Sequence, residues 1–278
     1  MTFTTKVEIP QAVFQIQPCE QVLLVGSCFA DEIGCQFKEN GFRVTANPYG
    51  TMYNPVSILH TLQRWLPQQT EATLPRIVFL TLGTNHVYRL KETGEIVDNC
   101  EKRPASLFQE EELTVSECVA YLQESTDLLR KFCPSIQIVL TVSPIRYRKY
   151  GYHGSQLSKA TLLLAANQVM KNSLTCQTSY FPAYEIMMDE LRDYRFYAPD
   201  MLHPSEQAVC YLWERLSEWC FSPECRQCIE EWIPIRKQLH HRPFHPDSEE
   251  HHRQMAQAQL RARLFTEKHP DFNIYPHE

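Results

Sequence analysis

Val22-Leu23-Leu24-Val25-Gly26-Ser27-Cys28-Phe29-Ala30-Asp31-Glu32-Ile33 decides the fold. Its first four residues are a short apolar run that stops at glycine, the mark of a buried parallel strand. Apolar residues then return at 29, 33 and 37, which is helix spacing, so Gly26-Ser27-Cys28 reads as a strand-to-helix turn. The layout recurs downstream. Residues 76–82 form a second expected strand ending at Gly83-Thr84-Asn85, and 136–142 a third ending at Ser143-Pro144. Between them, 114–132 has helix periodicity, with Thr114 or Ser116 available as a cap. Helices are also expected over 156–174 and over 205–221, the latter with Ser205 as N-cap.

Strands alternating with helices predict an α/β fold with a mostly parallel central sheet covered on both faces. Ligands in such sheets bind beyond the carboxyl ends of the strands. The turns at 26, 83 and 143 therefore gather on one rim. Residues 234–248 carry three prolines and no periodicity and read as a connector, and 249–268 as a polar C-terminal helix. The expected organisation is a domain over 1–248 and a helical tail over 249–278.

Bulk composition narrows the function. The 278 residues are 43% hydrophobic and 22% charged, ordinary for a globular chain. A net charge of −6, with no basic cluster, argues against nucleic-acid binding. No basic leader with an apolar stretch opens the sequence, and no apolar run nears the ~18 residues of a membrane span. A cytoplasmic protein without membrane contact is the expectation. The 11 cysteines then read as reduced thiols. Cys225 and Cys228 form a lone CxxC without a second pair at zinc spacing, so neither a metal nor another cofactor is expected.

Three segments could carry chemistry. A residue just after Gly26 would stand at a helix N-terminus, where free N–H groups and the dipole stabilise negative charge. Ser27 and Cys28 are both candidate nucleophiles there, although the same residues would also suit a purely structural tight turn. Asp200-Met201-Leu202-His203 places an acid three residues before a base, so the carboxylate can fix the tautomer of a general-base imidazole. A capping aspartate beside a surface histidine would look the same. Gly83-Thr84-Asn85-His86 offers close backbone approach and, in Asn85, an amide donor for an oxyanion. Gly50 is a second candidate oxyanion donor through its N–H. His86 and Arg146 are candidate substrate contacts. The stretch from Leu191 to Tyr197 is a candidate for positioning Asp200 through an arginine–carboxylate contact, or Arg195 within it for binding an anionic substrate.

The stretch GSCFA at 26–30 matches the motif that names the GSCFA domain family. The likeness runs on through NPYGTMYNP (47–55), TLGTNHVYR (81–89), TVSPIR (141–146), SKATLLLA (158–165) and YFPAYEIMMDELRDYRFYAPDMLHPS (180–205). It covers roughly residues 20–250. This family resembles the SGNH (GDSL-like) hydrolases. The resemblance implies a three-layer α/β/α sandwich and an esterase that cleaves an acyl ester, on a small molecule or a glycan, through a covalent acyl-enzyme. An acyltransferase on the same site, or an inactive binding or scaffold protein of the same fold, are the alternatives. The nucleophile's register stays open. Gly-x-nucleophile spacing favours Cys28, and the serine chemistry of the wider superfamily favours Ser27.

Overall fold

The computed structural model describes residues 4–173, 177–241, 244 and 248–274. Five strands form a parallel sheet in the order β2-β1-β3-β7-β8: β1 (Gln21–Gly26), β2 (Arg43–Ala46), β3 (Ile77–Leu82), β7 (Gln137–Val142) and β8 (Thr178–Tyr180). Alternation along β1 shows why both faces are covered. Leu23 and Val25 point into one apolar layer, Val22 and Leu24 into the other, and all four are fully buried. The first layer packs beneath α2 (Pro55–Trp65), α3 (Val115–Phe132) and α4 (Gly151–Asn172), the second beneath α1 (Cys28–Glu39), the short α5 (Ala183–Glu185) and α6 (Glu206–Cys220). The expected three-layer sandwich is observed.

The helix starts obey local chemistry. Thr114 caps α3 in a capping box with Glu117, and Ser205 caps α6 by accepting from the Ala208 N–H. Helix α4 begins at Gly151, five residues before the expected start, and is described to Asn172; Leu174 lies outside the described residues. Helix α2 was not anticipated, and three further elements, all of them β, were missed. Strands β2 and β8 have four and three residues, too few for a periodic signal. The third is an antiparallel sheet, β5-β4-β6, of β4 (His86–Leu90), β5 (Ile96–Val97) and β6 (Phe108–Glu112). It is inserted after β3, and the acidic sequence of β6 (FQEEE) hid it.

The expected connector over 234–248 is corrected in its first part, and its residues 242, 243 and 245–247 lie outside the described residues. Helix α7 (Pro223–Leu239) continues through Pro234. Its apolar face, Ile229, Trp232 and Ile235, holds the helix down on either side of the proline. Helix α8 (Glu249–Lys268) pairs with α7, and Trp232, Phe265 and Phe272 share a small core. The tail lies along the domain: the Trp232 indole donates to the Glu39 carbonyl at 2.8 Å, and Arg43 pairs with Asp271 at 2.9 Å. Phe272 occupies the space beside Gly41 where a Cβ would stand. Among the described residues no helix is long and apolar enough to cross a membrane.

Candidate active site

The turn after β1 is built around a glycine that no other residue replaces. Gly26 has φ +146°, and a Cβ there would overlap the Thr81 carbonyl oxygen. That contact ties β1 to β3. Asn47, itself at φ +42°, accepts the Gly26 N–H through Oδ1 at 2.8 Å and donates through Nδ2 to Asp31 at 2.9 Å. The end of β2 thereby holds the turn and the first helical turn together.

Ser27 and Cys28 diverge at this point. Ser27 is fully buried and is the N-cap of α1. Its hydroxyl donates to the Ser143 Oγ at 2.7 Å and accepts the Phe29 N–H at 3.3 Å, and its own N–H donates to the Thr81 carbonyl at 3.0 Å. Cys28 is the first helical residue and is half-buried. Its sulfur lies 3.7 Å from the Tyr53 hydroxyl. Burial, reinforced by the neighbouring thiol, pushes the Tyr53 phenol up to about 12, so this hydroxyl keeps its proton beside the sulfur. Among the described residues no acceptor faces the Cys28 N–H, whereas the Ala30 N–H already donates to the Ser27 carbonyl.

Behind the turn sits Lys159, 1% exposed, from α4. Its ammonium donates to the Gly83 carbonyl at 2.7 Å and the Ser143 carbonyl at 2.8 Å, clamping the ends of β3 and β7 together. Burial lowers its pKa to about 7. Its neighbour Ser158 accepts the Asn85 N–H at 3.0 Å and bonds the Thr84 hydroxyl at 3.0 Å. The pair Ser158-Lys159 explains why the SKATLLLA stretch accompanies the turns in the sequence. Neither Lys159 nor Asn47 was singled out beforehand; the cue was a lysine among the apolar positions of a helix.

The acid–base turn has a different construction. Asp200 Oδ2 meets His203 Nδ1 at 2.6 Å, while Oδ1 accepts the N–H groups of Leu202 and His203 at 2.8 and 3.1 Å. The Leu202 N–H first, then the imidazole and the His203 N–H, lower the Asp200 pKa to about 2. A tyrosine-lined arginine fastens the turn to the sheet. The Arg146 N–H donates to the Leu202 carbonyl at 3.0 Å and its guanidinium to the Met201 carbonyl at 3.1 Å. Its charge lies 4.1 Å from the Tyr152 ring centroid and 5.3 Å from that of Tyr197. Arg146 follows Ser143 by three residues, so the turn hangs from the same β7 loop that touches Ser27. Among the described residues His203 makes no hydrogen bond to Ser27 or Cys28.

Other expected site residues have different surroundings. Gly50 donates its N–H to the Asn47 carbonyl at 2.8 Å within a turn, so that N–H is spent and not available to an oxyanion. The Asn85 amide nitrogen donates to the Leu113 carbonyl at 2.8 Å, anchoring the inserted sheet. His86 is 8% exposed and stacks on Tyr150 with ring centroids 3.5 Å apart, between Glu110 and Glu112. Burial lowers its pKa, and it presents little surface to a substrate. Arg195 pairs with Asp193 at 3.9 Å rather than with Asp200, so the positioning role passes to Arg146. The preceding YEIMMDELRDYR stretch serves as scaffold: buried Glu190 accepts the Tyr211 hydroxyl, Arg215 and the Val7 N–H. Cys225 and Cys228 lie one turn apart on α7, and burial drives both thiol pKa values up. Among the described residues no group of three or more His, Cys, Asp or Glu is arranged to hold a metal ion.

The sequence pattern of the GSCFA family matches residues 21–77 and 68–216. The chain belongs to the GSCFA family. The pattern of the GSCFA domain protein C-terminal domain matches residues 232–275, which takes in most of the α7–α8 hairpin. No curated protein matches the sequence. Among solved structures, this GSCFA protein is similar to a family 3 carbohydrate esterase from Clostridium thermocellum, with 14% identity and a TM-score of 0.43, over 81% of this chain and 99% of that one. It is also similar to a GDSL-like lipase from Bacteroides thetaiotaomicron, with 15% identity and a TM-score of 0.45, over 76% and 88% of the two chains. A member of the lipolytic G-D-S-L family from Veillonella parvula shows 12% identity and a TM-score of 0.45, over 73% and 97%.

Proposed function

We propose that this GSCFA protein hydrolyses acyl esters of a small molecule or glycan, with Cys28 as nucleophile, His203 as general base and Asp200 as its orienting carboxylate. One observation carries the choice of nucleophile. Ser27 has its hydroxyl committed to the cap and to Ser143, whereas Cys28 stands half-exposed on the rim with a free N–H at the start of α1. The imidazole, held by Asp200 at Nδ1, has Nε2 left to take the thiol proton. The sulfur then attacks the ester carbonyl and the alcohol leaves with the proton from His203. Water, activated by the same imidazole, cleaves the thioester. Exposed rings of Tyr152 and Tyr194 around Arg146 suit a sugar face or another flat polar partner near the rim.

The missing hydrogen bond from His203 to Cys28 favours a second reading, in which the protein keeps the fold and binds a ligand without turning it over. Catalytic contacts often tighten only when substrate arrives, so p-nitrophenyl acetate turnover separates the two. We expect wild type to hydrolyse it, His203→Ala to lose about a thousand-fold or more in kcat, and thiol alkylation to stop the reaction. No turnover of any short-chain ester, and no difference on His203→Ala, would establish the binding role. Replacing water by a sugar hydroxyl as acceptor makes the same site an acyltransferase, read out as acylated sugar rather than free acid.

A further inference from the structure

Arg146 ties the acid–base turn to the β7 loop and also lines an open pocket of 190 Å³. That is smaller than the ~300–1,000 Å³ of drug-sized ligand sites, so it takes one ring or a short chain. Part of the lining comes from a π-helical turn, Ile186–Leu191, which contributes the adjacent Met187 and Met188. The turn ends at Arg192 in the left-handed region, at φ +35°. Both features cost backbone energy and recur where a site needs them. Gln156 and the rings of Tyr194 and Tyr197 complete the pocket around Arg146.

The charges in the lining decide what fits. Arg192 faces Asp189 at 3.5 Å, and Asp193 accepts the Arg195 N–H at 2.9 Å with the Arg195 guanidinium 3.9 Å away. Those charges are met within the chain. Arg146 is different. Among the described residues no carboxylate pairs with its guanidinium, which spends an N–H on the Met201 carbonyl and keeps the others free. Its immediate neighbours are neutral tyrosine rings. Gln156 adds a second donor. The Tyr184 hydroxyl donates to its amide oxygen, and among the described residues its amide nitrogen has no partner. A guanidinium fork and an amide N–H beside exposed aromatic rings match a single carboxylate on a sugar ring. Asp193 in the same lining repels a further negative charge, which disfavours a phosphate dianion.

We propose that this pocket binds a uronate, a sugar that carries a carboxylate, with the carboxylate on Arg146 and Gln156 and the ring against Tyr194. The choice of ligand stands on the pocket alone. Its place in the reaction rests on the reading of His203 as general base. That imidazole returns its proton to the departing alcohol, so the alcohol half of the ester lies on the His203 side of the bond that breaks. The pocket is on that side, because Arg146 holds the carbonyls of Met201 and Leu202, the two residues before His203. The substrate is then an acylated hydroxyl of an acidic sugar, and the sugar leaves with its carboxylate unchanged.

NMR titration of the full chain, labelled with ¹³C at the methionine methyls, reads the site without turnover. Methyl glucuronide should shift the Met187 and Met188 resonances and leave that of Met255, on α8, in place. It should bind about ten-fold or more tightly than methyl glucoside, and more tightly than glucose 6-phosphate. Arg146→Met should weaken it about ten-fold or more. Arg146 also holds the acid–base turn, so Gln156→Ala supplies a variant clear of that turn, with an expected loss of about five-fold. Equal affinity for the glucuronide and the glucoside, tighter binding of the phosphate, or glucuronide binding that both variants keep unchanged overturns the assignment. O-acetylated methyl glucuronide tests the catalytic reading separately. Binding at Met187 and Met188 without hydrolysis of that ester upholds the pocket and overturns the hydrolase reading. Hydrolysis of O-acetylated methyl glucoside with an equal kcat/KM overturns the placement of the alcohol half in this pocket.

Discussion

The two halves of the proposed site are built in opposite ways. The turn at Gly26-Ser27-Cys28 is wired into the core: Asn47 from the end of β2, Thr81 from β3 and Ser143 from the end of β7 all bond to it, and Lys159 clamps the last two strands from behind. The turn at Asp200–His203 is closed within four residues and lies in the open, with side chains 44% and 40% exposed, held to the sheet through Arg146. A nucleophile fixed by long-range contacts cannot move without disturbing the sheet. A base on an exposed local turn can shift at little cost.

The contrast breaks most visibly at Gly26. Gly26→Ala puts a methyl group into the Thr81 carbonyl at a backbone angle reserved for glycine. We expect about 3 kcal/mol or more of lost stability, seen as a collapsed urea midpoint or insoluble protein. A well-folded alanine variant would mean the turn is looser than described. Next in size is Cys28→Ala, which should cost about ten-thousand-fold in kcat while leaving the urea midpoint near wild type, since the thiol is half-exposed. Its neighbour should behave in reverse. Ser27→Ala loses the helix cap and the bond to Ser143, about 1–2 kcal/mol, and keeps most of the activity.

A pH dependence sharpens the picture of the buried half. Lys159 titrates near 7 in the folded protein and near its ordinary, higher value when unfolded. Between these two pH values the unfolded chain holds a proton that the folded chain has released. Stability therefore rises as pH climbs above about 7. In Lys159→Met that rise should flatten, measured as the difference in urea midpoint between pH 7 and pH 9. An identical slope in both proteins would mean that the two carbonyl acceptors keep the ammonium charged throughout. The exposed half responds at the other end of the scale. The Asp200 pKa is depressed, so its contribution is present above about pH 4 and disappears as pH falls through about 2.

What could be read beforehand follows the same division. The parallel sheet, the turn at its first strand and the DxxH pair are local patterns, and residues 22–33 and 200–203 announce them. Ser205 and Thr114 were legible as caps because capping is decided within three residues. The choice between Ser27 and Cys28 was not, because it depends on Ser143 and Thr81, more than fifty residues away. Asn47 and Lys159 escaped for the same reason. The roles expected for Asn85 and His86 met the inserted sheet, whose presence a polar strand had concealed. Helix α7 ran past Pro234 because buried aromatic packing outweighed a local breaker.

The central claim is that the thiol, and not the adjacent hydroxyl, carries the acyl group. Rapid acid quench of the protein during p-nitrophenyl acetate turnover, followed by peptide mass spectrometry across residues 21–38, reads this directly. The predicted result is an acetyl group on Cys28, absent from Cys28→Ala and present in Ser27→Ala. An acetyl group on Ser27, or turnover that continues in Cys28→Ala, would contradict it.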